Sequence, residues 1–374
     1  MILEMGNGSM ERTELLEGAA ARLRERLPPS WRIATDPVNT GAAVLDTAIV
    51  LTAPNGTATT FVVEAKQELT PRDVSSALSG LGRAVRALAT NIPLLFVAPW
   101  ISPRARELLT AERINYVDLT GNVRVQLEHP ALFLSSGGAA RDPRPKPRGA
   151  ARVRGPKAGR LIRMLVDSRP PYGVRDLAAA AGLAPGYVSR MLDTLDREGM
   201  VERSPRGGVE NVDVASLLRR WAEDYDVLRS NGAMGYISRA GVAEAYAGLG
   251  AVGADRRVAV TGSFAAVQLA PVAAPAQLFV YCDDPEAVAG ALNLLPAPQA
   301  PDVVLLRPFD DVVWTGLRRR TDAVAPVAPS QIVADCLTGT GRMPAEGEAV
   351  LEWMMRDDTS WRHDVLLQLT TASR

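Results

Sequence analysis

The stretch GRLIRMLVDSRPPYGVRDLAAAAGLAPGYVSRMLDTLDREGMVERSPRGGVENVD (159–213) alternates short breaks with runs of apolar residues at helical spacing. This spacing predicts helices over 159–167, 174–182 and 185–199, because side chains three or four positions apart line one helix face. A Pro-Pro pair separates the first two helices, and a Gly-Leu-Ala turn separates the second from the third. The stretch then closes with two short strands joined by a Gly-Gly loop.

This order of helix, helix, tight turn, helix and hairpin is that of a winged helix-turn-helix domain. The apolar positions expected to close its small core are Leu177, Ala181, Val188, Met191, Leu192 and Leu195. Packing them inward leaves Tyr187, Ser189 and Arg190 exposed at the start of the third helix, where such domains contact base edges. Arg203 and Arg206 lie on the hairpin, here called the wing, and are predicted to reach phosphate or the minor groove.

A basic linker precedes the winged helix. Its sequence, GGAARDPRPKPRGAARVRGPK (137–157), holds seven Lys or Arg and one Asp, which gives a net charge of +6. Its many Pro and Gly residues predict a flexible, extended chain. One interpretation is a solvated hinge, and the other is an arm that pairs with DNA phosphates. On the second interpretation the DNA-binding residues are Arg148, Arg152, Arg154 and Lys157.

Charge alone does not decide between DNA and protein as the partner of the winged helix. The whole chain has a net charge of zero, and the stretch 159–213 holds eight Arg against eight Asp or Glu. Winged helices also serve as protein–protein modules. The linker beside it and the late position of Asp193, Asp196 and Glu198 on the third helix favour DNA.

Residues 1–136 are predicted to form an α/β domain with one mixed sheet. The predicted elements are a helix at 11–27, strands at 44–52 and 59–65, a helix at 76–88, a strand at 92–100, a helix at 102–113 and strands at 114–119 and 123–127. Asn55-Gly56 is a strong hairpin signal between the first two strands. Ser102 as N-cap and Pro103 at the first helical position mark the start of the predicted helix at 102–113.

The second of these strands ends in Glu64-Ala65-Lys66, and Lys66 is one of only three lysines in the chain. With Asp46 on the preceding strand, the pattern resembles the PD-(D/E)xK nuclease family. That resemblance implies a restriction-endonuclease-like fold in which Asp46 and Glu64 hold Mg²⁺ and Lys66 completes the catalytic set. An ordinary surface Glu–Lys pair and a nuclease-like fold used only for structure or binding are the alternatives.

The C-terminal residues 229–374 contain RRVAVTGSFAAVQL (256–269), a strand followed by Gly262-Ser263 and a helix. This resembles the opening of nucleotidyltransferase folds. The next predicted strand, AQLFVYC (276–282), carries Gln, Phe and Tyr where that resemblance requires alternating carboxylates. The expectation is therefore a nucleotidyltransferase-like α/β domain that lacks its metal carboxylates, with a generic α/β domain as the alternative.

A winged helix (159–228) followed by such a C-terminal domain resembles AbiEi-type antitoxin regulators over roughly residues 159–354, on VTGS and APSQIVADCL (328–337). The linker that precedes the winged helix spans 137–158. The resemblance implies a DNA-binding transcriptional regulator whose operator contacts are Tyr187, Ser189, Arg190, Arg203 and Arg206. It also implies a nucleotidyltransferase-like toxin as protein partner. The N-terminal nuclease-like domain departs from the short members of that family.

The favoured interpretation is thus a multidomain α/β regulator that binds double-stranded DNA without a cofactor. A Mg²⁺-dependent endonuclease targeted by the winged helix, and a scaffold that binds a toxin without contacting DNA, are the alternatives. A homodimer fits any of the three.

The N-terminus carries acidic residues and lacks an apolar core segment, and the most apolar run (264–281) is interrupted by Pro and Gln. We therefore expect a cytoplasmic protein with no membrane partner.

Overall fold

The computed structural model describes residues 5–35, 38–39, 44–45, 48–74, 93–140, 142–143, 153–317 and 324–367. The chain forms two compact units. One comprises Met1–Gly149 with Arg197–Gly199, and the other comprises Ala150–Asp196 with Met200–Arg374. The predicted boundaries after residues 136, 158 and 228 stay predictions.

The first unit is a sheet with helices on its faces. Its described elements are α1 (Met5–Arg24), β1 (Arg32–Ala34), β2 (Val38–Asn39), β3 (Val44–Leu45), β4 (Ala48–Thr52), β5 (Ala58–Ala65), β6 (Leu94–Ala98), α2 (Pro103–Ala111), β7 (Asn115–Asp118), β8 (Val123–Leu127) and β9 (Leu132–Ser136). Seven of the described strands form one sheet in the order β1-β4-β5-β6-β7-β8-β9, while β2 and β3 pair with each other. The sheet is mixed, as predicted, because β5, β6 and β7 run parallel and the flanking pairs are antiparallel.

The central strand β6 is buried on both faces, and its side chains alternate between two cores. Leu95 and Val97 join the core on the side of α1, whereas Phe96 and Ala98 join the core that contains Leu109 of α2. This arrangement explains why its sequence is a continuous apolar run rather than an alternating one. The predicted helix at 76–88 lies outside the described residues.

Two local predictions in this unit are confirmed. The Asn55-Gly56 turn joins the antiparallel pair β4 and β5, with Gly56 at φ +86°. The Ser102 side chain accepts a hydrogen bond from the Ala105 amide, and Pro103 occupies the first turn of α2. Strand β9 was not predicted, and it pairs antiparallel with β8 at the edge of the sheet.

Asn122 holds the start of the basic linker against the first unit. Its Oδ1 accepts hydrogen bonds from the Gly138 amide at 2.8 Å and from Nη1 of Arg106 at 2.7 Å. The Ala139 carbonyl accepts from Nε1 of Trp100 at 3.0 Å. Residues 138–139 of the predicted linker thus have backbone groups bound to side chains of the folded unit, and the flexibility of the linker stays a prediction.

The remaining elements combine helices with a second sheet. They are α3 (Pro156–Asp167), α4 (Val174–Ala180), α5 (Pro185–Arg197), β10 (Val201–Arg203), β11 (Val209–Val212), α6 (Val214–Ala222), α7 (Val227–Ser230), β12 (Gly232–Ser238), α8 (Val242–Asp255), β13 (Val258–Thr261), α9 (Gly262–Ala266), β14 (Leu278–Cys282), α10 (Pro285–Ala291), β15 (Leu294–Pro296), β16 (Val303–Arg307), α11 (Pro329–Leu337) and α12 (Met343–Arg356). Within the described ranges, strands β10 and β11 form a two-stranded sheet, and five further strands form another in the order β13-β14-β16-β12-β15.

The segment at 217–228 joins the winged helix to the C-terminal sheet. The structure has two helices there, α6 and α7, because the Asp226 side chain accepts hydrogen bonds from the Leu228 and Arg229 amides and so caps a new helix. Both aromatic residues of this segment belong to the core, since Trp221 and Tyr225 are 2% and 6% exposed. Tyr225 also donates to the buried Asp335 carboxylate at 2.7 Å, and burial raises the pKa of Asp335 to about 6.

A buried ion pair ties α3 to the C-terminal helices of the same unit. The Arg163 side chain is fully buried, and its Nε donates to Oδ2 of Asp167 at 2.7 Å. Its two Nη atoms donate to Gln331 Oε1 at 3.1 Å and to the Thr315 carbonyl at 2.9 Å. The Ser330 hydroxyl donates to the other oxygen of Asp167. Ser330 lies in the first turn of α11, and this bond takes its side chain away from the helix end, where Ala328 is the N-cap residue.

We predict that Arg163→Ala lowers the free energy of unfolding by about 3–5 kcal/mol, because it leaves the Asp167 carboxylate buried without its partner. The matched control is Arg229→Ala, since the Arg229 side chain is 86% exposed and paired only at the surface with Asp226. That change should cost less than about 1 kcal/mol. Denaturant unfolding measures both, and equal costs for the two variants would contradict a structural role for the buried pair.

Candidate nucleic-acid interface

The turn between α4 and α5 sets the direction of the third helix of the winged helix. Gly182 adopts φ +61°, a left-handed conformation that costs glycine little and other residues more. The Leu183 amide donates to the Ala178 carbonyl at 2.8 Å, and the Val188 amide donates to the Ala184 carbonyl at 3.2 Å. The chain therefore reverses within three residues and starts α5 at once, as the sequence predicts.

One face of α5 is buried and the opposite face is outside. Val188, Met191, Leu192 and Leu195 are each at most 1% exposed, at the i, i+3, i+4 and i+7 spacing of a single helix face. Arg190 lies on the opposite face and is exposed. Its Nη1 is 3.6 Å from the position that a Cβ on Gly186 would occupy, so the guanidinium extends back over the first turn of α5.

The predicted exposure is confirmed for Arg190 but is only partial for Tyr187 and Ser189. Both are half-buried, and the Tyr187 ring packs against the core of the unit. Burial raises the pKa of the Tyr187 hydroxyl, which therefore stays protonated at neutral pH and can still donate a hydrogen bond.

The wing (201–212) is a two-stranded hairpin with one isolated backbone bridge beside it. β10 pairs antiparallel with β11, and Tyr172 forms a bridge to Val209 with two backbone hydrogen bonds of 3.0 and 3.2 Å. The Tyr172 hydroxyl donates to the Leu165 carbonyl at 3.0 Å, which attaches this segment to α3. The bridge is made to the residue of β11 next to the loop, and the tip of the loop, Pro205-Arg206, is exposed to solvent.

The two wing arginines differ in their surroundings. Arg206 is exposed at the tip and has no hydrogen-bond or ion-pair partner among the residues that the structure describes. Arg203 is bound inside the wing, where Nε and Nη2 donate to the Gly207 carbonyl at 3.1 and 2.9 Å. Its Nη1 pairs with the Asp193 carboxylate of α5. A DNA contact by either arginine stays a prediction.

The linker residues assigned to DNA are only partly described. Arg154 and Lys157 are exposed just before and within the first turn of α3, and neither has an ion-pair partner in the described part of the chain. Arg148 and Arg152 lie outside the described residues. Arg175, which no sequence motif singles out, is exposed in the first turn of α4 and adds another cation to the same small domain.

The Glu64-Ala65-Lys66 segment ends β5 in the first unit. Glu64 is half-buried, and Nζ of Lys66 lies 3.1 Å from Oδ1 of Asp73. Burial favours the neutral form of Asp73, but hydrogen bonds from Thr70 and Lys66 outweigh it and lower the Asp73 pKa. Asp73 was not part of the predicted site, and only its tertiary contact reveals it.

The predicted Mg²⁺ pair cannot be assembled from what is described, because Asp46 lies outside the described residues. Within the described residues no group of three or more His, Cys, Asp or Glu side chains could hold a metal ion. In the second unit, the two acids that follow β14 have structural partners. The Asp284 side chain accepts a hydrogen bond from the Ala287 amide and caps α10, and Oδ2 of Asp283 lies 3.6 Å from Nη1 of Arg257. The Gly262-Ser263 turn directs the Ser263 hydroxyl to the buried Glu346 carboxylate at 2.5 Å.

Comparison with known families agrees with the geometry of the winged helix. Residues 157–205 match the IclR helix-turn-helix domain and are thus a DNA-binding helix-turn-helix of IclR type. The match covers α3, α4, the turn, α5 and the first strand of the wing. No curated protein and no solved structure matches the chain. None of the helices in the described ranges is long and apolar enough to cross a membrane.

We predict opposite effects for the same substitution at two glycines four residues apart. Gly182→Ala should destabilise the protein by about 1–2 kcal/mol, because its φ of +61° strains an alanine. Gly186→Ala should stabilise it by roughly 0.5–1 kcal/mol, because Gly186 lies in a helix and a Cβ there meets only ordinary contacts. Thermal and denaturant unfolding measure both. A stabilising Gly182→Ala would contradict the turn.

Proposed function

We propose that this protein is a transcriptional regulator that binds duplex DNA with α5 in the major groove and the wing tip on the adjacent backbone. The match of residues 157–205 to a DNA-binding helix-turn-helix is the observation that supports this most directly. The burial of one face of α5 supports it further, since the face left outside is the one that carries Arg190.

The cations around α5 suit an anionic ligand. Arg190, Arg206, Arg175, Arg154 and Lys157 are all exposed and unpaired in the described part of the chain. The exposed acid on the outer face of α5, Asp193, is paired with Arg203. Phosphate contacts by exposed cations release counterions, so we expect DNA affinity to fall steeply with salt.

We predict that Arg190→Ala weakens binding to duplex DNA from the protein's own promoter by roughly 1–3 kcal/mol and reduces sequence preference, because Arg190 would contact a base edge or phosphate. Arg239→Ala is the matched control, since Arg239 is exposed in the same unit but remote in sequence from the winged helix. Fluorescence anisotropy over a salt series measures affinity and slope. Equal binding by both variants would contradict the assignment of Arg190.

The finer proposal is an antitoxin-like regulator whose partner is a nucleotidyltransferase-like toxin. The features that support it are the Gly262-Ser263 turn after β13 and the sequence of α11, both of which resemble AbiEi-type regulators. Co-expression with the product of the adjacent gene tests it. Rescue of growth and co-purification are the expected results, and a neighbouring product that is harmless alone would argue against the antitoxin role.

A Mg²⁺-dependent deoxyribonuclease is a second candidate function, supported by Glu64 and Lys66 at the end of β5 in the mixed sheet. It predicts cleavage of DNA with Mg²⁺ or Mn²⁺ that disappears in Asp46→Ala and in Lys66→Ala. Asp73→Asn is informative beside them, because it removes the partner of Lys66 and leaves the proposed metal ligands intact. Cleavage that survives Lys66→Ala would point to a contaminating nuclease.

A further inference from the structure

We propose that Arg203 is a positioning residue that fixes the wing to α5, so that Arg206 and Arg190 meet the duplex as one rigid surface. The inference rests on the proposed DNA-binding function. It replaces the role predicted for Arg203 from the sequence, which was a contact to phosphate or minor groove.

The contacts of the Arg203 guanidinium point to two different elements of the protein. Two of its nitrogens donate to the Gly207 carbonyl, at 3.1 and 2.9 Å, and the third pairs with Asp193 on α5. Its side chain is only 15% exposed. A planar fork of donors can hold a carbonyl on one side and a carboxylate on another at fixed angles, which a lysine cannot do.

The loop that Arg203 holds is already ordered around its own backbone. The Ser204 amide donates to the Gly208 carbonyl at 2.9 Å, and the Gly207 amide donates to the Ser204 carbonyl at 2.8 Å. Gly207 takes φ +87°, which a glycine adopts without strain. Because Gly207 directly follows Arg206, the bonds from Arg203 to the Gly207 carbonyl fix the base from which the Arg206 side chain extends.

Electrostatics favours the same role. Asp193 is 56% exposed on the outer face of α5, three residues after Arg190, where a bare carboxylate would repel phosphate. Pairing with Arg203 offsets that charge. If Arg203 turned to contact phosphate directly, it would have to give up its ion pair with Asp193. Arg203 therefore contributes to DNA binding through the geometry of the wing and through Asp193.

Double-mutant cycles separate positioning from direct contact. Arg206→Ala alone should weaken DNA binding about tenfold, the value of one charge-assisted hydrogen bond. In an Arg203→Ala background the same change should cost only about twofold, because the wing tip no longer holds its place. Arg190→Ala serves as the matched control and should cost the same factor in both backgrounds, since α5 holds Arg190 without the wing. A full tenfold loss for Arg206→Ala in both backgrounds would overturn the proposal.

Two conservative variants test whether the charge of Arg203 or its shape matters. Arg203→Lys keeps the positive charge but loses the fork, and we expect it to bind DNA almost as weakly as Arg203→Ala. Asp193→Asn removes a negative charge near the duplex, and we nevertheless expect it to weaken binding. Wild-type affinity for Arg203→Lys together with tighter binding by Asp193→Asn would make Arg203 a phosphate contact instead.

The contacts of Arg203 with Gly207 and Asp193 are here called the clamp. A measurement without DNA distinguishes failure of the clamp from failure of the proposed function. Hydrogen exchange of the Gly207, Gly208 and Val209 amides in the free protein should speed up roughly fivefold in Arg203→Lys, because local opening of the wing becomes easier. Unchanged exchange would overturn the clamp even if DNA binds. Faster exchange in a protein that binds no duplex would preserve the clamp and refute the regulator.

Discussion

The burial of one apolar face of α5 is the constraint from which the rest of the DNA-binding geometry follows. Each of Val188, Met191, Leu192 and Leu195 is removed from water, at roughly 1.5–3 kcal/mol per large side chain, so rotation of the helix about its axis is strongly opposed. The opposite face must then lie outside. Ser189, Arg190 and Asp193 occupy that face because of their positions in the 3.6-residue repeat, whatever ligand they bind.

The same core extends well beyond the helix-turn-helix. Buried side chains from Val153 to Trp361 form one continuous cluster, and the Arg163–Asp167 pair bonds directly to Gln331 and Ser330 of α11. The winged helix therefore shares its interior with the C-terminal sheet and helices of the second unit. Buried hydrogen bonds therefore connect α11 directly to α3.

The sequence was most informative where structure depends on neighbours within a few residues. The periodicity of 159–213 predicts all three helices and the wing, and Ser102 and Asn55-Gly56 predict a cap and a turn, because these features are local. Strand β9 could not be predicted from alternation of apolar and polar residues. Its exposed position between Leu132 and Leu134 is occupied by an apolar residue, Phe133, which is 62% exposed.

Contacts between residues far apart in the chain could not be predicted in this way. Ser330 has the sequence features of a helix cap, yet its hydroxyl bonds to Asp167, 163 positions earlier. The ion pair between Lys66 and Asp73 forms only when the chain after β5 folds back toward the end of that strand. The pairing of Arg203 with Asp193 lies between these local features and the distant contacts. The two residues are ten positions apart, and a winged helix places its wing beside its third helix, so the pair could have been predicted. The match to the IclR helix-turn-helix covers only this locally encoded part of the chain.

Photo-cross-linking from the outer face of α5 tests the central claim most directly. A photoreactive amino acid in place of Ser189 should cross-link to duplex DNA from the protein's own promoter, and the same group in place of Arg239 should not. Competition by unlabelled duplex and loss of the product at high salt are expected with it. Cross-linking of equal efficiency from both positions, or from neither while the protein still binds the duplex, would contradict an interface formed by α5.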